Sequence, residues 1–114
     1  MEKKYRIKKN LEFKRLYERS KRFYNRDFKI LVSDNIFDYP RFGFTLTRKF
    51  GKANKRNRVR RLLKEIIRLN IDKFENGKDY IISPKSHTIE YEYKDLENSL
   101  MHIINISKRN KWKN

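Results

Sequence analysis

The sequence predicts a single α+β domain in which helices pack against one small, mostly antiparallel sheet, in the order α-β-β-β-α-β-α. Residues 52–74 and the segment from Tyr93 onward carry apolar residues at helical spacing. Short runs between residues 22 and 83 either alternate between apolar and polar residues or are continuously apolar, as strands are. A chain of 114 residues has the length of one domain with one core, so residues 1–114 are expected to fold as a unit.

The first predicted element is a short helix that begins at Asn10 and ends near Ser20. Asn10 is a favoured N-cap residue, and Glu12 places a carboxylate in the first turn, where the helix dipole favours negative charge. The apolar side of this helix is narrow and mostly aromatic, because it consists of Phe13, Leu16 and Tyr17.

Three strands are predicted between this helix and the long central one. Residues 28–33 and residues 41–47 both alternate between apolar and polar side chains, and the loop at residues 34–40 separates them. Because a short loop joins these two strands, we expect them to pair with each other as an antiparallel hairpin. Residues 22–24 are predicted to form a shorter strand.

A long helix is predicted to begin at about Lys52 or Asn54 and to end at Phe74, between Gly51 and Gly77. One side of this helix is apolar apart from a single asparagine near its end. This side consists of Val59, Leu62, Leu63, Ile66, Ile67 and Asn70.

The remaining predicted elements are one strand and one helix. Residues 80–83 are almost continuously apolar, which indicates a strand with a central position in the sheet. The last helix begins at about Tyr93, and its apolar side consists of Leu96, Leu100, Ile103 and Ile104.

The composition restricts the class of protein. The chain has 31 Lys and Arg residues against 14 Asp and Glu, a net charge of +17, which indicates a polyanionic partner such as a nucleic acid. The absence of cysteine excludes disulfides, thiolate metal sites and cysteine nucleophiles, and two histidines provide little for a zinc site. No continuous apolar run exceeds three residues, so we predict no membrane segment or signal peptide and expect a cytoplasmic protein.

Basic residues are concentrated in residues 48–68, where ten residues are Lys or Arg and Glu65 is the only acid. A surface that served solubility alone would intersperse acids, as residues 90–97 do. Arginine predominates in this segment, and its planar guanidinium suits bidentate contacts with phosphates. One alternative is a basic helix face that is only solvated and binds nothing. A helix that lies on a membrane surface is less favoured, because the apolar side of this helix is needed for packing against the sheet. The residues opposite the apolar side are Asn57, Arg61, Lys64 and Arg68.

One part of the predicted long helix is similar to a known family signature. Residues 52–62, KANKRNRVRRL, closely resemble the Arg-Asn-Arg helix of the bacterial ribonuclease P protein subunit. The resemblance extends over about residues 5–106, the expected core, with basic tails on either side. Its other parts are the Lys8-Lys9-Asn10 opening with Phe13, Gly43-Phe44-Thr45 with Arg48-Lys49, and Asp79-Tyr80-Ile81-Ile82.

This resemblance implies a function and a detail of the fold. In the family an RNA subunit performs the cleavage and the protein helps to bind precursor tRNA. We therefore expect an accessory subunit of an endoribonuclease that removes the 5′ leader, with one protein bound to each ribonuclease P RNA. The resemblance assigns no catalytic or metal-binding protein residue and no cofactor to the protein alone, since Mg²⁺ acts through the RNA. It also implies a left-handed β-α-β crossover, as in some ribosomal-protein domains.

The resemblance also implies two sets of site residues. In the family the 5′ leader occupies a cleft between the first helix and the sheet, and aromatic rings there stack on unpaired bases. Leu31 stands where relatives often carry an aromatic residue, and Asn54 where they usually have an apolar one. The matching cleft positions are Phe13, Tyr17, Phe28, Leu31 and Arg56, and the aromatic ones could equally belong to the core. The residues expected to bind the catalytic RNA are Arg48, Lys49, Lys52, Arg56, Asn57, Arg58, Arg60, Arg61, Lys64 and Arg68.

Two other classes of protein fit parts of the sequence. A structural RNA-binding protein, for instance of the ribosome, would have a similar small α+β domain and would co-purify with ribosomal particles. A self-sufficient metal-dependent nuclease would need clustered carboxylates. His87 and His102 are expected to be ordinary surface or boundary residues. Four acids lie in a mixed-charge stretch at the start of the last helix, and helix capping accounts for them. These acids are Glu90, Glu92, Asp95 and Glu97.

Overall fold

The computed structural model describes residues 2–7 and 10–110, which form a sheet with helices on both faces. The order of helices and strands is the predicted one. The predicted N-cap side chain of Asn10, the Lys8-Lys9 part of the opening and the tail segment 111–114 lie outside what is described. The elements are α1 (Asn10–Arg19), β1 (Lys21–Tyr24), β2 (Phe28–Asp34), β3 (Arg41–Phe44), α2 (Ala53–Leu69), β4 (Lys78–Pro84) and α3 (Tyr93–Asn110). Short 3-10 turns lie at Lys3–Tyr5, Ile71–Lys73 and Ser86–Glu90.

The four strands form one mixed sheet in the order β1-β2-β4-β3. Strand β2 is antiparallel to both of its neighbours, whereas β3 runs parallel to β4. The sheet is therefore mostly antiparallel, as predicted, and the apolar strand β4 is central, as predicted. Because α2 connects the parallel strands β3 and β4, the chain contains a β-α-β crossover; its left hand stays a prediction from the resemblance.

The predicted hairpin between β2 and β3 is wrong, because β4 lies between these two strands. Tyr80 of β4 pairs with Val32 of β2 on one side and with Phe42 of β3 on the other. The inner position covers both edges of β4, whose side chains are almost all buried. Strand β3 also ends at Phe44, earlier than the alternation predicts.

The two faces of the sheet are covered by different helices. Successive side chains of β2 point to opposite faces of the sheet: Ile30 packs into the core beneath α2 and α3, whereas Leu31 faces α1. The smaller cluster on the α1 face consists of Ile7, Leu16, Leu31 and Ile81. The larger cluster combines Phe28, Ile30, Phe42, Tyr80 and Ile82 of the sheet with Val59, Leu63, Ile66 and Ile67 of α2 and Leu96, Leu100, Ile103 and Ile104 of α3.

Helix α2 ends at Leu69, five residues before the predicted end, because of the asparagine on its apolar side. The Asn70 side chain is buried, and its Nδ2 donates to the carbonyl oxygen of Ile66 at 2.8 Å and to Oε2 of Glu97 at 3.0 Å. Asparagine favours such side chain–backbone bonds at helix ends over continued helix. A 3-10 turn follows, and Phe74 then packs in the core.

Candidate nucleic-acid interface

Helix α2 has one buried apolar side and one charged side. Its side chains Val59, Leu63, Ile66 and Ile67 are fully buried. The predicted separation of the helix into two sides is therefore confirmed. We call the charged side the basic ridge; it consists of Asn57, Arg61 and Arg68, which are exposed, and Arg60 and Lys64, which are half-buried.

The centre of the basic ridge is not neutralised by neighbouring acids. Glu65, the only acid of α2, pairs with Arg68, whose hydrogen bond lowers the pKa of that carboxyl. Arg60 donates to Oδ1 of Asn57 at 2.8 Å. Arg61 and Lys64 form no hydrogen bond or ion pair with any residue of the described part of the chain. Two cations without a partner among the described residues thus stand about one turn apart on a helix whose other side is buried.

The arginines near the start of α2 are held by backbone oxygens and acids from other segments. Arg56 donates from Nη1 to the carbonyl oxygen of Gly51 at 2.7 Å. Arg58 approaches the carbonyl oxygen of Ile89 at 3.5 Å and Oε2 of Glu92 at 3.6 Å. The helix begins without a capping side chain and without an acid in its first turn, so its positive end adds to the arginines. The basic residues just before it, Arg48, Lys49 and Lys52, are exposed.

The acids at the start of α3, which a nuclease would use for a metal, have other partners. Glu90 accepts from Lys55 at 2.8 Å, and this hydrogen bond lowers the pKa of Glu90. Asp95 accepts from the backbone N–H of Glu92 at 3.2 Å, and Glu97 accepts from Lys94 at 3.1 Å. Within residues 2–7 and 10–110, no three or more His, Cys, Asp or Glu side chains are grouped so that they could hold a metal ion.

Asp27 fixes the connection between β4 and α3, which contacts Arg58. The carboxylate is almost fully buried, and its Oδ1 lies 2.8 Å from both His87 Nε2 and the Tyr91 hydroxyl. Its backbone oxygen accepts from Lys85 N–H at 2.8 Å. Burial opposes ionisation of Asp27, but hydrogen bonds from His87, Ser99 and Tyr91 outweigh burial and lower its pKa from 3.8 to about 2. His87 is thus at the surface, as expected, and also belongs to this network.

Two of the predicted cleft residues come together on one side of α1. The ring of Phe13 lies directly over Gly43 of β3, since a Cβ atom added at Gly43 would be 2.5 Å from the Phe13 Cζ atom. The hydroxyls of Tyr17 and Thr45 are 2.8 Å apart. Both rings are half-buried, so each keeps an accessible surface. We call the sheet surface beside these rings the leader cleft.

Two other cleft assignments are corrected by the structure. Phe28 is completely buried beneath α2 and α3, on the opposite face of the sheet, so it cannot line the leader cleft. Leu31 does face α1, but it is 1% exposed and packed against Leu16 and Ile81, so it offers no surface to a base. Arg56 lies at the start of α2, and its contribution to the cleft stays a prediction.

An exposed aromatic residue that the sequence reasoning missed lies on the cleft face. Arg22 of β1 donates to the carbonyl oxygen of Tyr17 at 3.4 Å, which places it on the α1 face, whereas Phe23 packs in the core on the other face. Tyr24, two residues after Arg22, therefore also faces the α1 side, opposite Lys29. Its side chain is 56% exposed. The alternation of side chains along residues 22–24 is enough to place Arg22 and Tyr24 on the same face of the sheet.

Comparison with known proteins identifies the family. The family model for Ribonuclease P matches residues 1–108 of the chain. The chain belongs to the ribonuclease P protein family. The ribonuclease P protein component of Finegoldia magna is 43% identical to it over 103 residues, which cover 90% of each chain.

Solved structures of the ribonuclease P protein family have the same fold. A mutant of the Staphylococcus aureus RNase P protein has a TM-score of 0.88 at 32% identity, covering 95% of this chain and 92% of that chain. The RNase P protein from Thermotoga maritima has a TM-score of 0.81 at 29% identity, covering 87% of this chain and 94% of that chain. The predicted family is thus confirmed. The chain is a bacterial RNase P protein subunit, an accessory subunit of this endoribonuclease that acts with RNase P RNA.

No helix in the described ranges, 2–7 and 10–110, has the length and apolar character needed to cross a membrane. The structure therefore provides no membrane-spanning helix among these residues. The predicted RNA-binding and cleft residues all belong to this part of the chain.

The depressed pKa of Asp27 predicts a pH-dependent stability. The carboxylate contributes stability that is fully present above its unfolded value of 3.8 and is lost as the pH falls through about 2. We expect the difference in unfolding free energy between the wild type and Asp27→Asn to shrink steadily between about pH 4 and pH 2. Urea unfolding at a series of pH values measures it. Tyr91→Phe, which removes one donor, should show a smaller effect of the same sign, and a difference independent of pH would contradict the assignment.

Proposed function

We propose that the basic ridge and the cations beside it bind RNase P RNA through its phosphates. The observation that carries this proposal is the pair Arg61, which is exposed, and Lys64, which is half-buried; neither has a described partner, and packing holds their helix in place. A phosphate can accept two parallel hydrogen bonds from one guanidinium group. Binding also releases counterions from the RNA, which makes it favourable at low salt. The proposed contacts are Arg48, Lys49, Lys52, Arg56, Asn57, Arg58, Arg60, Arg61, Lys64 and Arg68.

Electrostatic repulsion within the ridge supports the same function. Like charges spaced three or four residues apart destabilise a helix by roughly 0.2–0.5 kcal/mol per pair. Arg60 and Lys64 are four residues apart, as are Lys64 and Arg68. A phosphate bound between such residues removes this repulsion, so it binds the folded protein preferentially. Asn57, held by Arg60, adds a neutral group that both donates and accepts.

We further propose that the leader cleft binds the single-stranded 5′ leader of precursor tRNA. Phe13, Tyr17 and Tyr24 present rings of which each has an accessible part. Stacking on such rings contributes about 1–3 kcal/mol per base and tolerates any sequence, which suits a protein that must accept many leaders. Tyr24 takes the place in the cleft that the resemblance gave to Phe28.

In this mechanism the protein binds and positions RNA, and the RNA subunit carries the chemistry. The described residues offer no cluster of metal ligands, so we assign Mg²⁺ to the RNA phosphates and no step to a protein-bound ion. We propose one protein per RNA, a cytoplasmic location, and residues 1–114 as one RNA-binding domain with basic N- and C-terminal segments.

Arg61→Ala is expected to weaken binding of RNase P RNA about tenfold and to reduce the slope of log affinity against log salt by about one, because one phosphate contact is lost. Arg61→Lys should keep most of the slope, since it keeps the charge. The measurement is equilibrium binding to a bacterial RNase P RNA at several salt concentrations. The matched control is Arg26→Ala, which removes an 83% exposed arginine at the β1–β2 turn. If Arg61→Ala behaves like this control, the ridge proposal is wrong.

Phe13→Ala is expected to weaken binding of precursor tRNA by roughly fivefold or more to the assembled enzyme, while binding of tRNA without a leader is unchanged. Gly43→Ala should have the same selective effect without removal of the ring, since the added methyl displaces Phe13. Leu69→Ala, at an exposed apolar residue of α2, is the control for loss of an apolar side chain outside the cleft and should leave binding of both substrates unchanged. Equal losses for both substrates would contradict a leader contact.

A further inference from the structure

A second groove lies on the side of α1 opposite the leader cleft. Its volume is about 350 Å³. Arg15, Leu16 and Arg19 of α1 form one wall, and Ile36 and Phe37 of the β2–β3 loop form the other. One wall is therefore cationic and the other is apolar. The proposed function uses neither wall.

The two apolar side chains of the loop wall are exposed to solvent and are not part of the hydrophobic core. Ile36 is 94% exposed and Phe37 is 37% exposed. The Phe37 ring stacks on Tyr39, with 5.1 Å between centroids and 24° between planes, and the Arg41 guanidinium carbon lies 4.9 Å from the Phe37 ring centroid. The part of this wall that is open to a ligand is therefore the Ile36 side chain and the exposed part of the Phe37 ring. In a chain as polar as this one, an isoleucine and a phenylalanine side by side at a loop tip indicate a binding surface rather than a packing requirement.

The loop that carries this wall is held in one conformation by Asn35. Oδ1 of Asn35 accepts from the backbone N–H of Phe37 at 2.8 Å, and its Nδ2 donates to the Tyr39 oxygen at 3.3 Å and to Oδ1 of Asp79 at 2.9 Å. Its backbone N–H donates to the carbonyl oxygen of Gly77 at 2.8 Å. A binding wall that is already ordered loses little entropy when a ligand arrives.

The acids at the floor of the groove are already paired. Asp79 accepts from Arg41 Nε at 2.9 Å and from Arg41 Nη2 at 2.8 Å. Asp34 accepts from Lys78, and this hydrogen bond lowers the pKa of Asp34. The floor is thus close to neutral, and the charge that remains is that of the α1 wall.

The two arginines of the α1 wall have no direct partner among the described residues, although the charge of Arg19, after that of Lys78, helps to lower the pKa of Asp34. Neither Arg15 nor Arg19 forms a hydrogen bond or ion pair with another residue in the described ranges. They lie four residues apart, about 6 Å along the helix axis, a spacing that one phosphate group can bridge with two long side chains. The groove therefore combines an anion-binding wall with a flat apolar wall.

We propose that this groove binds one unpaired nucleotide of RNA, with the base against Ile36 and Phe37 and the phosphate between Arg15 and Arg19. A nucleotide is the ligand that needs both walls at once, since proteins recognise unpaired bases by stacking and their phosphates by arginine. An acidic peptide would use only the arginines. The inference rests on the proposed RNA-binding function and adds a contact that the basic ridge and the leader cleft do not include.

The test is a titration of the isotope-labelled full chain with a 5′-phosphorylated RNA trinucleotide at low salt, followed by NMR. We expect shifts of the Ile36 and Phe37 backbone amides and of the Nε–Hε signals of Arg15 and Arg19. The double variant Arg15→Gln/Arg19→Gln should weaken the affinity read from the loop amides about fivefold or more. Arg26→Gln, the control at an exposed arginine outside the groove, should leave that affinity unchanged.

A second pair of variants tests the base contact. Phe37→Leu keeps apolar packing on Tyr39 but removes the flat ring, so it should also weaken the groove affinity about fivefold. Ile36→Ser leaves the core untouched and should reduce the affinity as well. Trinucleotide shifts confined to the basic ridge and leader cleft would overturn the proposal. It would also be overturned if hexaglutamate produced the same loop shifts as the RNA.

This result can be separated from the test of the ridge. The groove signals report only on the groove, whereas Arg61→Ala reports on assembly with RNase P RNA. A groove that stays silent while Arg61→Ala weakens assembly rejects the groove alone. A groove that binds the trinucleotide while Arg61→Ala assembles normally rejects the ridge alone.

Discussion

Packing of the apolar side of α2 against the sheet determines which side of this helix meets solvent. Each large aliphatic side chain buried there stabilises the fold by about 1.5–3 kcal/mol relative to exposure, whereas repulsion between neighbouring like charges costs only a few tenths of a kcal/mol per pair. Burial therefore prevails over repulsion. The basic ridge keeps its orientation even though its own charges oppose it, and Arg61 and Lys64 stay unpaired beside the core residues Leu63 and Ile66.

The other face of the sheet is organised around α1. Because a single helix crosses this face, sheet surface remains accessible on both of its sides. The side with Phe13 and Tyr17 is the leader cleft, and the side with Arg15 and Arg19 is the groove against the β2–β3 loop. Asp27 fixes another part of the structure, and the acid on α2, Glu65, pairs with Arg68 at one end of the basic ridge and leaves Arg61 and Lys64 at its centre without a described acid partner. The high net charge is thus distributed over surfaces that face outward from both sides of one sheet.

Features set by local periodicity could be predicted from the sequence, whereas features set by long-range pairing could not. The two sides of α2 and the central position of β4 follow from the spacing of nearby apolar residues. The hairpin between β2 and β3 was wrong because both strands pair with β4, which is distant in sequence, and local alternation contains no information on that pairing. Phe28 was assigned to the cleft through the resemblance, although alternation along β2 puts Phe28 and Leu31 on opposite faces. The same alternation in β1 would have directed attention to Tyr24.

The most direct measurement is a reconstitution with a bacterial RNase P RNA at a Mg²⁺ concentration too low for the RNA to act efficiently alone. Removal of a tRNA 5′ leader would be followed with the wild-type chain, with Arg61→Glu/Lys64→Glu, and with Arg26→Glu as a charge-reversal control outside the basic ridge. The account predicts that the wild type and the control restore cleavage and that the ridge variant does not, while all three remain folded by circular dichroism. Restoration of cleavage by the ridge variant to the wild-type level would contradict it.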